Sequence, residues 1–138
     1  MAAKDIFHEV VKTALKKEGW KITHDPLYIK SGGVQMEIDL GADKLIAAEK
    51  ENERIAVEIK SFAKPSAISE FHTALGQYLN YRKAITRIES ERILYLAVPE
   101  ETYEVFFSLP FVAESVVDYQ INLIVYDSEN EAIALWKK

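Results

Sequence analysis

The sequence predicts a single α/β domain: a helix, strands, a second helix and a strand, then an appended helical and strand unit. Three observations carry this reading. Two segments repeat apolar residues at helical spacing. Extended apolar runs lie between and after them, as strands require. The chain has 138 residues and is 49% hydrophobic, which suits one core and leaves little room for two. Residues 1–138 contain no internal repeat, low-complexity segment or linker and read as one unit.

Asp5 is the expected N-cap of the first helix. Ile6, Phe7, Val10, Val11, Ala14 and Leu15 then form one apolar stripe, and Gly19 is the expected residue just beyond its end. Residues 20–23 read as a short strand and His24-Asp25-Pro26 as a turn. After Ser31-Gly32-Gly33 comes a long extended stretch, residues 34–50. It breaks at Glu51-Asn52-Glu53, and residues 54–62 form the next strand, so the two read as a β-hairpin.

Pro65 ends that strand. Ser66 or Ser69 caps the second helix, whose expected buried stripe is Ile68, Phe71, Leu75, Tyr78 and Leu79. Residues 92–98 are almost continuously apolar, as in a strand covered on both faces. A shorter helical region spans residues 100–118 and is broken at Pro110. Residues 121–126 and 132–136 close the chain as strands.

Composition narrows the function classes. With no cysteine, disulfides and thiolate metal sites are excluded. No apolar run approaches the roughly 18 residues a membrane helix needs. Met1-Ala-Ala-Lys-Asp5 leads straight into the amphipathic helix without a signal-peptide pattern, so a cytoplasmic location and no membrane are expected. The net charge of −5 argues against unaided DNA binding, although a local basic strip or a partner would change that.

The segment with chemical content runs from Glu37-Ile-Asp39 through Asp43 to Glu58-Ile-Lys60. Side chains alternate along a strand, so Val57 and Ile59 point one way while Ala56, Glu58 and Lys60 point the other. Two charges on one face of a buried strand must pair, bind a metal or reach solvent. If Glu51-Asn52 is a two-residue turn, Lys50 faces Glu53 and Lys60 faces Asp43, and Asp39 points to the same face. A bulge at Gly41 would change that register. Two carboxylates hold a hard divalent cation, Mg²⁺ or Mn²⁺, through oxygen. Such a metal polarises a phosphodiester and activates water, and a nearby lysine orients that water or stabilises developing charge. The triplet alone is better explained as a solvated cross-strand ladder, since short charged triplets are frequent.

The order of elements resembles that of PD-(D/E)xK nucleases: helix, three-stranded meander, helix, strand, with an acid on the second strand and (D/E)xK on the third. Here Asp39 or Asp43 precedes Glu58-Ile59-Lys60, although the Pro-Asp dipeptide is replaced by Ile38-Asp39 and Ala42-Asp43. The resemblance implies a catalytic or metal role for Glu58 and one of these aspartates, and a role for Lys60. It also points to Gln77 on the following helix and Glu9 on the first.

A closer resemblance is to the XisH family of fdxN element excision controlling factors. It rests on Lys4-Asp-Ile-Phe-His-Glu9, Gly19-Trp20, Thr23-His-Asp-Pro-Leu27, Ile38-Asp-Leu-Gly-Ala42, Ala47-Ala-Glu49, Ile55-Ala-Val-Glu-Ile-Lys-Ser-Phe62, Phe71-His-Thr-Ala-Leu-Gly-Gln-Tyr78 and Arg92-Ile-Leu-Tyr-Leu96. It implies a cyanobacterial protein needed to remove a DNA element during heterocyst differentiation, working with a site-specific recombinase and an XisI-like companion protein. A homo-oligomer is compatible with it. Two readings follow: a Mg²⁺-dependent DNA endonuclease, or a non-catalytic adaptor that keeps the nuclease fold and binds a recombinase or companion.

The remaining polar features have plainer explanations. His8, His24 and His72 lack metal-ligand spacing. Arg82, Lys83, Arg87 and Arg92, interspersed with Glu89 and Glu91, read as a solvated face. Most of the aromatic residues belong in the core, and an excess around Tyr103 to Phe111 is the candidate for a partner surface.

Overall fold

A computed structural model describes residues 3–36 and 44–138. The first helix, α1, spans Ala3–Lys17, so Asp5 lies inside it rather than capping it. Its end follows the expected chemistry. Gly19 takes φ 92°, its N–H donates to the Lys16 carbonyl, and the Trp20 N–H donates to Leu15. This pair of bonds is a Schellman cap, which needs a left-handed residue at the glycine position.

Strand β1 (Lys21–His24) lies at the edge of the main sheet. The extended stretch expected over residues 34–50 is not one strand. Gly32 and Gly33, at φ 57° and 81°, reverse the chain, so β2 (Ile29–Ser31) and β3 (Val34–Met36) pair with each other in a separate two-stranded sheet. Two adjacent residues at positive φ are what a tight hairpin turn requires. Ile29, almost fully buried, anchors this hairpin in the core beneath the second helix.

The hairpin that carries the motif does form. Strands β4 (Lys44–Lys50) and β5 (Glu53–Ile59) pair antiparallel, with Lys50 opposite Glu53 and Lys44 opposite Ile59, the register read from the turn. Strand β5 stops at Ile59, short of residue 62, although the Lys60 N–H still bonds the Ala97 carbonyl. Phe62, at φ 54°, then turns the chain away. Helix α2 (Ala67–Ile88) starts at Ser66, whose side chain accepts from the Ser69 N–H at 3.2 Å. Its buried face is Phe71, Ala74, Tyr78, Tyr81, Ala84 and Ile85, whereas Ile68 is exposed.

Strand β6 (Arg92–Pro99) returns parallel to β5. Two helices, α3 (Glu100–Val105) and α4 (Pro110–Asp118), lead to β7 (Leu123–Asp127), also parallel, and β8 (Ala132–Lys137) closes the edge antiparallel. The helical break at Pro110 is where the sequence puts it. The six strands lie in the order β1-β4-β5-β6-β7-β8.

Residue alternation divides the core. Ala56, Leu94, Leu96, Leu123 and Val125 pack with α2, Phe107 and α4, while Val57, Tyr95, Ala97, Ile124 and Tyr126 pack with α1 and Trp20. The sheet is therefore covered on both faces, as the apolar run of β6 requires. No helix among the described residues is long and apolar enough to cross a membrane.

Candidate functional site

Strand β5 sits inside the sheet between β4 and β6, so a side chain pointing to either face meets protein rather than solvent. Ala56 packs in the α2-side core and Val57 and Ile59 in the α1-side core, which places Glu58 on the α2 side. Glu58 is 2% exposed and Lys60 3% exposed. Their charged atoms lie 3.8 Å apart, an ion-pair distance longer than a hydrogen bond. The Lys60 amine donates to Gln77 Oε1 at 2.6 Å. The Tyr126 hydroxyl, reaching from β7, donates to the Lys60 carbonyl at 3.0 Å and fixes the backbone where β5 ends.

The structure thus brings together Glu58, Lys60 and Gln77. Gln77 faces the sheet because it lies seven residues after Glu70, on the buried side of α2. Glu70 itself is 7% exposed and was missed as a site residue. Its heptad spacing to Gln77 was the available signal. Lys60 and Glu70 line an open cleft of about 290 Å³ together with Lys64, Ser66, Ser69 and Thr73.

The neighbouring Tyr78 hydroxyl donates to the Leu94 carbonyl and accepts from the Asn122 N–H, each at 3.0 Å. Burial pushes its phenol above the usual range, and the nearby Glu58 charge adds to the rise. Glu58 therefore sits in a poorly hydrated environment, where its electrostatic interactions are strengthened.

Asp39 and Asp43 lie outside the described residues. Glu9 is on α1, which covers the opposite face of the sheet, and its partners are His8 at 3.3 Å and Lys12 at 3.6 Å. The structure does not bring it to Glu58. Among the described residues, no three His, Asp or Glu side chains cluster so as to hold a metal ion. Glu58 supplies one carboxylate of the kind a hard cation takes.

Two of the three histidines have polar partners: His8 is buried and bonds Asp25 at 2.8 Å, and His24 bonds the Thr23 hydroxyl, while His72 is exposed. Two of the four basic residues read as a solvated face are instead tied down. Buried Arg92 binds Glu89 and the Ile55 carbonyl, and Arg82 binds the carbonyls of Tyr119 and Gln120.

A family model described as XisH protein matches residues 1–134. Among solved structures, an fdxN element excision controlling factor protein from Anabaena variabilis is 56% identical. The match covers 97% of this chain and 99% of that one, with a TM-score of 0.90. An XisH family protein from Nostoc punctiforme PCC 73102 is 55% identical over 97% of this chain and 100% of that one, with a TM-score of 0.91. A comparison with curated proteins gave no match. Matched by the family model almost end to end, and sharing sequence and fold with two cyanobacterial relatives, this chain belongs to the XisH family.

Proposed function

We propose that this protein is a Mg²⁺- or Mn²⁺-dependent phosphodiester hydrolase acting on DNA, built on a PD-(D/E)xK nuclease-like core and serving the excision of a DNA element. One observation carries the reading: a glutamate and a lysine two residues apart on an interior strand, both almost fully buried, with Gln77 hydrogen-bonded to the lysine. A buried ion pair is often no more stabilising than apolar residues of similar volume, so a functional use is the better explanation for keeping one. The order α1, antiparallel β1-β4-β5, α2 and parallel β6 supports the nuclease-like core.

In this reading Glu58, with Asp39 or Asp43, holds the cation. The bound metal lowers the pKa of a water and polarises the phosphodiester. Lys60, oriented by Gln77, positions the attacking water or stabilises the charge that develops on phosphate. Lys64, Ser66 and Ser69 line the cleft beside Lys60 at the start of α2, where helix N–H groups favour a phosphate group. A site-specific recombinase and an XisI-like companion complete the excision machinery in the cyanobacterial cell.

The second reading, a non-catalytic adaptor, is favoured by the net charge of −5 and by the structural use of Arg82 and Arg92. Calorimetric titration with Mg²⁺ and Mn²⁺ decides between them, on wild type and on Glu58→Ala, Asp39→Ala and Asp43→Ala. Metal binding lost with Glu58→Ala and with one aspartate variant is the expected result, and it names the second acid. No binding to the wild type at millimolar metal would overturn the hydrolase reading in favour of the adaptor.

A further inference from the structure

Between Arg92 and Lys137 the sequence has eight Asp or Glu residues and no Lys, Arg or His. The rest of the chain therefore carries a net charge of +3 against the −5 of the whole. The positive excess gathers in one stretch. From Lys60 to Ile88 there are five Lys or Arg residues and one acid, Glu70, which is buried. Most of that stretch is α2.

The outer side of α2 has an order of its own. Ser69, Thr73, Gly76, Asn80, Lys83 and Arg87 follow one another at alternating steps of four and three residues, and all six are exposed. At about 100° and 1.5 Å per residue they fall within an arc of about 80° and make a stripe about 27 Å long. The stripe starts in the cleft, which Ser69 and Thr73 line together with Lys60 and Lys64. It ends at the β2–β3 hairpin, where a Cβ on Gly32 would lie 3.8 Å from Arg87 Nη1. Among the described residues neither Lys83 nor Arg87 has a carboxylate partner, whereas the Arg82 and Arg92 guanidinium groups are held by backbone carbonyls. Arg82 marks the flank of α2 that meets the end of α4, and the stripe lies about 100–180° round the helix from it.

We propose that this stripe is a track for the phosphate backbone of duplex DNA, carrying the duplex into the cleft. The inference rests on the reading of that cleft as a phosphodiester site. Composition selects the occupant: Ser, Thr, Asn, Lys and Arg are the side chains that hold phosphate oxygens, and every side chain in the stripe is one of them. A protein partner would need an apolar centre, which the stripe lacks. Gly76 adds a separate observation. A glycine inside a helix is less stable than an alanine, and nothing lies within 4 Å of where its Cβ would stand, so packing does not require it. What the missing side chain provides is a bare helix surface halfway along the stripe, where a DNA backbone can come close. A length of about 27 Å matches the axial rise of about eight base pairs, far more than a single anion occupies.

The test is fluorescence anisotropy of a labelled duplex of about 20 base pairs with the full chain, in EDTA and in Ca²⁺, across a salt series. Lys83→Ala/Arg87→Ala is expected to weaken binding at least about tenfold at low salt and to make the slope of log affinity against log salt shallower by nearly two. Lys16→Ala/Lys21→Ala, which removes two exposed lysines of α1 and β1, should leave both quantities unchanged. Gly76→Glu separates binding from folding. The space around Gly76 is open, so its melting temperature should equal or exceed that of wild type while duplex binding falls. Wild-type binding that Lys83→Ala/Arg87→Ala and Gly76→Glu leave unchanged would overturn the inference and leave the hydrolase reading standing. No duplex binding by the wild type in either condition would overturn both. Displacement of the duplex by polyglutamate at equal charge concentration would also overturn it, since the face would then fit an acidic protein.

Discussion

The Lys60 amine is buried and donates a hydrogen bond to Gln77 Oε1 at 2.6 Å. A hydrogen bond to a charged group contributes more than a neutral one, so losing this acceptor from a buried cation is costly. Gln77→Leu, of similar volume, is therefore expected to destabilise the fold by about 2 kcal/mol in urea denaturation. Gln77→Glu keeps the acceptor and should fall close to wild type. Equal stability of Gln77→Leu and wild type would remove the positioning role. Asp25 is a second residue-scale case. Burial pushes its carboxyl up, but the Lys12 hydrogen bond and the His8 and Lys12 charges more than reverse this, and it ends below the usual carboxylate range. A folded value below the unfolded one, near 4, contributes stability above about pH 4 that is lost as pH falls through the folded value. Asp25→Asn should lower the melting temperature at pH 7, and the difference should shrink towards pH 2–3. A gap that stays constant with pH would contradict the assignment.

Elements are held in register by a few contacts at their ends. Glu89, at the end of α2, accepts from Arg92 at 2.9 and 3.1 Å and from Arg54 at 3.0 Å, tying the helix to β6 and β5. The Arg92 hydrogen bonds, with help from Arg54 and against some burial, hold the Glu89 carboxyl below its ordinary range. Arg92 is buried, so Glu89→Ala is expected to cost about 2 kcal/mol, more than a surface pair does. Arg92→Lys should recover only part of the wild-type stability, because an ammonium cannot span both carboxylate oxygens and the Ile55 carbonyl. A loss under about 0.5 kcal/mol for both variants would show that the end of α2 is held by packing alone.

Much at this scale was legible in the sequence. The Gly19 cap, the Ser66 cap, the break at Pro110 and the pairing of Lys50 with Glu53 all rest on local chemistry. Others depend on what packs where. Ile68 fits the helical stripe but reaches solvent, while Ala84 and Ile85 meet the core because α2 runs on over β6. The Gly32-Gly33 turn was visible, yet reading residues 34–50 as one extended stretch concealed that β3 pairs with β2 outside the main sheet. In the candidate site, strand alternation alone put Glu58 and Lys60 on one face. The heptad spacing to Gln77 set the side of α2 on which Glu70 lies, but how deeply it is buried depends on the path of residues 60–66.

At the scale of the molecule, charge is segregated. The cleft formed by Lys60, Lys64, Ser66 and Ser69 belongs to the part of the chain with net positive charge, and α3 and α4 to the acidic part. α4 packs on the same face of the sheet as α2, so a duplex bound at the cleft meets few cations and is repelled by the acids of α3 and α4. Each neutralised phosphate contributes about −0.9 to the slope of log affinity against log salt. Binding of a short duplex, measured by fluorescence anisotropy across a salt series, is expected to show a slope of about −2 to −4, shallower than the −10 or so of a dedicated DNA-binding protein. Lys64→Ala should make the slope shallower by about one, because that exposed side chain lines the cleft. Lys17→Ala, whose amine bonds the Asn130 carbonyl on the α1 side, should leave it unchanged. If Lys64→Ala leaves the slope unchanged while Lys17→Ala lowers it, the duplex lies on the α1 face, and the Glu58–Lys60 cleft is not where this protein meets DNA.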